Sequence, residues 1–238
     1  MQGTRHPKII SMIPARIGST RFQKKNLAIL NGKPMISYAI EAALKSKKFE
    51  KIVVNTDDFV FKKIADKYDG VDFYLRPKYL GGSEIKSDDV VIDFIKNYPC
   101  DIVVWQNPIA PLQEIKDIQL CIDYFLSENL DALYTTKREQ VQTIFKNKPV
   151  NFSTLGKFEQ TQNLEPVYPF VPFLMIWKTE SFIASYENNG QGFFCGKIGY
   201  FPVSKNSSVI IKYEEDFRFA ETILKSYKNK QNNVEYFS

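Results

Sequence analysis

Along the first hundred residues the apolar positions recur in one order: a short β-branched or apolar run, a loop, then a longer stretch at helical spacing. Ile9 to Ile13 predicts a strand, Gly18 to Asn26 a loop, and Pro34 to Ser46 a helix with Met35, Ile36, Ala39, Ile40 and Leu44 on one core-facing stripe. Ile52 to Asn55 predicts the second strand, Asp57 to Tyr68 the second helix and Val71 to Leu75 the third strand. Ser87 to Asn97 follows as a helix opened by a Ser cap, without the Glu or Gln of a full capping box. The unbroken apolar run in Asp101 to Trp105 predicts a fully buried strand, and Ile115 to Ser127 the helix after it. Strands alternating with helices of this length imply a three-layer α/β fold with a parallel sheet, whose ligand crevice opens beyond the carboxyl ends of the strands.

The rhythm changes after Asp131. Ala132 to Thr136 reads as one more strand, whereas Glu139 to Tyr168 is rich in Asn, Gln, Lys and Pro and weakly periodic, which suits an insertion, a lid or a dimerisation arm. Phe170 to Trp177 is strongly apolar, Lys197 to Val203 is strand-like, and Asp216 to Lys228 predicts a closing helix. No repeat of 20 to 50 residues and no linker divides the pattern.

Composition narrows the class. With 238 residues, 44% hydrophobic and 25% charged, the chain can bury a substantial core, which excludes a disordered tail, a collagen-like fibre or a stapled mini-protein. Lys plus Arg is 32 against 27 Asp plus Glu, a net charge of +5 interspersed along the chain. Such dispersal argues against nucleic acid as a partner and suits an anionic small molecule. Cys100, Cys121 and Cys195 are far apart and the single histidine, His6, sits in a polar lead, so zinc and a disulfide framework are not expected. The lead lacks a signal-like apolar core and no window approaches about 18 uninterrupted apolar residues, so a soluble, cytoplasmic protein with no membrane partner is expected.

The chemistry concentrates in IPARIGSTRFQKKN, Ile13 to Asn26, directly after the first strand. Gly18 offers conformational freedom, Ser19 and Thr20 offer hydroxyls, and Arg16, Arg21, Lys24 and Lys25 place four cations within ten residues. At least two of these can converge on a polyphosphate and stabilise the charge that builds on a leaving pyrophosphate. The plainer reading is a flexible basic loop with solvated side chains.

Beyond that loop come NGKPMISYAIEAAL, KIVVNTDD and YLRP, and this ordered set resembles the acylneuraminate cytidylyltransferase family, the CMP-sialic acid and CMP-Kdo synthetase type of enzyme. The markers run from Ile9 to Leu112 and continue more weakly to Leu224. The resemblance implies a Rossmann-like nucleotidyltransferase fold that joins CTP to an acidic sugar, giving a CMP-sugar and pyrophosphate, with Mg2+ and as a homodimer. It implies that Pro14, Ala15 and Arg16 start the nucleotide loop and that Asn26 ends it. Ser19 and Arg21 match its phosphate-handling part, Lys25 its other basic residue, Arg76 an Arg beside the nucleotide, and Ser87 a hydroxyl after that Arg. Asn107 falls near the cytosine and ribose, with Pro108, Ala110 and Pro111 shaping the turn. Each has a plainer reading: Arg76 as a surface residue before a proline, Ser87 as a helix cap, Asn107 as a turn former. Asp57 and Asp58 are expected to end a strand and cap the next helix rather than hold metal.

Three places depart from the resembling pattern. The family closes its site with S-x-D-I-D, whose two Asp residues hold magnesium; here the stretch is Ser208, Val209, Ile210, Ile211 and Lys212. Ile210 and Lys212 cannot supply the oxygens a hard cation needs, and Glu214, Glu215 and Asp216 sit where a helix start takes acidic caps. Lys212 could itself supply charge to the triphosphate or be a solvated strand residue. Val171, Pro172 and Phe173 stand about where sialic acid enzymes carry Asn-Gly, and Gly82-Ser83 where an Asp is usual. The metal set is therefore unknown. The domain reading is a lead at 1–8, one cytidylyltransferase-like domain at 9–228 with an insertion or dimerisation region at about 139–175, and a tail at 229–238. Three functional readings stand: CMP transfer to an acidic sugar for surface glycan synthesis; a catalytically impaired descendant that binds a nucleotide or a partner, with Val171 to Trp177 as its surface; and a different sugar or alcohol cytidylyltransferase with an altered base preference.

Overall fold

In the computed structural model, which describes residues 5–82 and 84–228, the chain opens with β1 (Ile9–Ala15). A small hairpin, β2 (Ile29–Leu30) and β3 (Lys33–Pro34), leads into α1 (Ile36–Ser46) and β4 (Lys51–Thr56). Next come α2 (Lys62–Ala65), β5 (Val71–Leu75), α3 (Ser87–Asn97), β6 (Ile102–Gln106), α4 (Ile115–Ser127) and β7 (Ala132–Thr136). The hairpin β8 (Ile144–Phe145) and β9 (Lys148–Pro149) precedes β10 (Phe170–Lys178), α5 (Thr179–Asn189), β11 (Ile198–Pro202) and α6 (Glu214–Lys228). The start of the expected lead, Ser83 and the expected tail at 229–238 lie outside the described residues.

Seven strands form one sheet in the order β11-β7-β10-β6-β1-β4-β5. β10 runs antiparallel to both neighbours and every other pairing is parallel. Period-two alternation builds the layers. Ile10 and Met12 of β1, Val53 of β4 and Val103 of β6 pack with Val91, Phe94 and Ile95 of α3 and Phe182 of α5. On the other face Ile13, Ile52 and Val54 pack with Ile36, Ala39 and Ile40 of α1. Ile9, Ile102 and Val104 meet Ile118, Cys121 and Phe125 of α4 on that same side. Because β1 pairs with β4 on one edge and β6 on the other, successive connections leave β1 in opposite directions and open a crevice at its carboxyl end.

The structure corrects several expectations. The second helix shrinks to a 3-10 turn at Phe59–Phe61 and the single turn of α2, since Phe59, Val60 and Phe61 lose side-chain freedom against a preceding turn. Ser87 does not cap α3: Lys86 occupies the cap position with no side-chain bond, and Ser87 is the helix's first residue. Trp105 is only partly buried. The insertion ends before Phe170, because residues 170–178 are a strand of the main sheet. Phe173, Leu174, Ile176 and Trp177 are fully buried there, so the apolar run is core and not a partner surface. Its register shifts between Phe170 and Met175, where Thr135 Oγ1 donates to the Val171 and Leu174 carbonyls and accepts from the Leu174 amide. α5 has no counterpart in the sequence reading; only Thr179 and Phe182 of it are buried.

Candidate functional site

β1 delivers Pro14 to the crevice, and the loop that follows is held at named points. The Ile17 amide donates to Asp57 Oδ1 at 2.9 Å, and the Ser19 amide to the Ile17 carbonyl at 3.1 Å. Lys24 takes a left-handed φ of 49° and starts the 3-10 turn Lys25–Leu27, which buries Asn26. Gly18 does not use the conformational freedom expected of it: its φ is outside the left-handed region and a Cβ there would meet nothing within 4 Å. The two aspartates divide their work. Asp58 caps the short helical stretch by accepting from the Val60 amide at 2.8 Å. Asp57 instead clamps the loop, and Gly81 packs so closely that a Cβ would run into its carboxylate.

These elements enclose a cavity of about 350 Å³. Of the expected site residues, Pro14, Arg16, Ser19, Arg21, Lys25, Asn26, Arg76, Ser87 and Asn107 all line it. Ala15 does not; its side chain is buried in the core with Ile36 and Ala39, as strand alternation dictates next to inward-facing Pro14. Sequence reading passed over Phe22, Leu80, Ile85, Val90, Trp105 and Ile109, which supply the apolar walls. Their only signal was adjacency to the matched positions. Asn107 is also the turn former it resembled, since its Oδ1 accepts from the Ile109 amide at 3.4 Å and its amide donates to the Phe173 carbonyl.

Three residues of the lining carry buried polar atoms without a partner. Arg76 is 4% exposed; its Nη1 donates to the Asn55 carbonyl and side-chain oxygens while its Nε is buried without a partner. Asn26 Oδ1 and Trp105 Nε1 are likewise orphaned. An unmet buried polar atom costs roughly 1–3 kcal/mol, and all three of these belong to residues that line the cavity. The electrostatics agree. Burial, followed by the charges of Arg21 and Arg16, holds the Lys25 ammonium below its ordinary pKa, with Asp216 pulling the other way. Burial also lowers Arg76, against the pull of Asp57 and with a further push from Arg16. Positive groups thus crowd here in poorly solvated surroundings, an arrangement an anion relieves.

The segment before α6 closes one side. Lys25 Nζ donates to the Ile211 carbonyl at 2.8 Å, and the Ile211 amide to the Ile109 carbonyl at 2.8 Å. The Ile211 side chain is buried with Leu30, Met35, Leu112 and Ala220. The Arg21 guanidinium lies 5.8 Å from the Tyr213 ring centre, and Phe22 meets Phe217 edge to face at 5.5 Å. Lys212 is exposed and is not part of the cavity wall. The residues present do not fit a metal: the cavity lining holds no Asp, Glu, His or Cys, and no group of three such residues that could hold a metal ion occurs among the described residues. Asp216 Oδ2 is taken up by the Lys212 and Tyr213 amides, at 2.7 and 2.8 Å. No helix among the described residues is long and apolar enough to cross a membrane.

Comparison with known proteins gives a consistent picture. The family model described as cytidylyltransferase matches residues 10–237. An N-acylneuraminate cytidylyltransferase of Escherichia coli O18:K1:H7 is 28% identical over 94% of this chain and 54% of its own length. The chain thus spans about half the length of that relative. A post-translational flagellin modification protein B of Campylobacter coli is 27% identical over 94% of this chain and 97% of its own length. Among solved structures, CMP:2-keto-3-deoxy-manno-octonic acid synthetase complexed with CTP superposes with a TM-score of 0.67 at 15% identity, covering 92% of this chain and 99% of that one. That likeness is one of fold.

Proposed function

The chain belongs to the cytidylyltransferase family, and from that premise we propose that it transfers CMP from CTP to an acidic sugar of the sialic acid or related keto-acid class, releasing pyrophosphate. The observation that carries the reading is the cavity at the carboxyl end of β1, where Arg16, Arg21, Lys25 and Arg76 line a space with no acidic residue in its wall. A sugar oxygen attacks the α-phosphorus of CTP, the new P–O bond forms as the bridge to the β-phosphate breaks, and water takes up the hydroxyl proton. The chain's contribution is positioning and charge stabilisation. Arg16, Arg21 and Lys25 meet the charge that collects on pyrophosphate, Ser19 offers a hydroxyl to the same phosphates, and Pro14 shapes the loop around them. Arg76, Ser87 and Asn107 orient the nucleotide, and Asn26 accepts from a ligand hydroxyl.

Relatives named for acylneuraminate, pseudaminic acid and Kdo support the acceptor class. The protein works in the cytoplasm, where CTP is made, as a homodimer, and its product feeds surface glycan synthesis. The family's magnesium finds no carboxylate set in this cavity, and no step is assigned to it. That same absence favours a second reading, nucleotide binding without turnover. Pyrophosphate release from CTP across a panel of 2-keto sugar acids tests the choice. Release with one acid supports transfer; CTP binding without release across the panel supports the second reading.

A further inference from the structure

We propose that Gln113, oriented by the buried Gln106, is a positioning residue for the nucleotide, acting through the turn that brings Asn107 and Ile109 to the cavity. This rests on the reading of the cavity as a CTP site in which Asn107 orients the nucleotide. Gln106 ends β6 directly after the apolar run Ile102 to Trp105 and is fully buried, yet both polar atoms of its side chain have partners. Its Oε1 accepts from the Ser11 hydroxyl of β1 at 3.1 Å, and its Nε2 donates to the Ala39 carbonyl of α1 at 3.0 Å and to Gln113 Oε1 at 2.6 Å. Gln113 Nε2 in turn donates to the Asn107 carbonyl at 2.8 Å. Both amides have one possible orientation. The Ala39 and Asn107 carbonyls can only accept, so each must face an Nε2, and the donors run in one direction from Ser11 to Asn107.

The turn at the end of this chain of bonds needs outside support. It reads Asn107, Pro108, Ile109, Ala110, Pro111, Leu112, and its two prolines have no N–H to give. The bonds made within it are long: the Ala110 amide to the Asn107 carbonyl at 3.3 Å and the Ile109 amide to Asn107 Oδ1 at 3.4 Å. The shorter bond from Gln113 closes the turn across its mouth. Asn107 and Ile109 line the cavity, and the Ile109 carbonyl takes the Ile211 amide at 2.8 Å, so the same turn also seats the segment before α6. Burying a side-chain amide beneath α1 is costly unless every group on it is matched, and a fully matched set holds one arrangement. An apolar residue at position 106 would continue the core of β6 without that cost; the amide adds a fixed turn.

A double-mutant cycle separates this role from a purely structural one. CTP affinity by titration calorimetry and stability by urea unfolding are measured for the full chain, Gln113→Met, Asn107→Ala and the double variant. Expected is about a fivefold loss of CTP affinity in Gln113→Met and no further loss when it is added to Asn107→Ala. The loss of stability should be the same in both backgrounds, because the Asn107 carbonyl remains when its side chain is cut back. Gln113→Glu keeps the acceptor for Gln106 but, ionised, has no donor for Asn107, so it should lose CTP affinity as Gln113→Met does, and it takes that variant's place in the cycle if Gln113→Met does not fold. Unchanged CTP affinity in a folded Gln113 variant overturns the inference, as does an equal loss in both backgrounds, and either leaves the transfer reading standing. No binding of CTP by the unaltered chain overturns both.

Discussion

The Lys25 ammonium donates to the carbonyl of Ile211, joining the loop after β1 to a segment 186 positions later in the chain. Phe22 against Phe217 and Arg21 over Tyr213 reinforce the same junction from neighbouring positions. A loop of this composition would be loose by itself; its ordering comes from docking on the last helix and the segment before it. Lys25→Met should therefore loosen residues 209–212, read as about tenfold faster hydrogen exchange of the Ile211 amide. Protection equal to that of the unaltered chain would show that the lysine does not hold the segment.

Arg21→Ala separates chemistry from folding. The side chain is exposed, makes one contact with the Tyr213 ring and contributes little to the core. Loss of a donor aimed at developing charge lowers kcat by about a hundredfold or more, while the melting temperature stays nearly unchanged. Normal turnover in this variant, with the acceptor identified, would remove the loop from the reaction.

Gly81 and Asp57 make a coupled pair. Gly81→Ala drives a methyl into the Asp57 carboxylate, which releases the Ile17 amide or displaces the turn after β5. Overpacking of this kind costs about 1–3 kcal/mol, with weaker CTP binding alongside. Asp57→Ala by itself also weakens binding by freeing the loop, but the double variant should be less unstable than the sum of the two. Urea unfolding of the four proteins checks this; strict additivity would mean the two residues do not touch.

The pH dependence of stability has a definite sign at Tyr38. Its hydroxyl donates to the Leu30 carbonyl at 2.9 Å, tying α1 to the β2–β3 hairpin. Burial first, then the charges of Glu41 and Glu221, raise its pKa from 10.0 to about 12. The neutral phenol is favoured in the folded chain, so its stabilisation is full below pH 10.0 and is lost as pH rises through about 12. Tyr38→Phe should show a shallower fall in urea midpoint across that window. Equal slopes would contradict the assignment.

How far the sequence carried can be seen in particular elements. β5, α3, α4 and β7 have the bounds the sequence implied: α3 and α4 each bury one stripe and β7 is buried throughout, whereas β5, at the sheet edge, is only half-buried. α5 was illegible: a helix with only Thr179 and Phe182 buried leaves no 3.6-residue signal. The placement of β10 between β6 and β7 depends on pairings to Ile102–Gln106 and Ala132–Thr136, long-range contacts that no local pattern encodes. At the site, the matched positions gather because the carboxyl ends of β6, β1, β4 and β5 follow one another along the sheet. What the letters did not disclose was orientation. Ala15 turns into the core, Asp57 faces the loop rather than a helix end, and Lys212 lies outside the cavity wall that Lys25 lines.

A crystal soaked with CTP tests the central assignment most directly. Expected is the nucleotide in the 350 Å³ cavity, its phosphates within hydrogen-bond reach of Arg16, Arg21 and Lys25 and its other end against Arg76 and Asn107. An empty cavity, or CTP bound elsewhere on the chain, would contradict it.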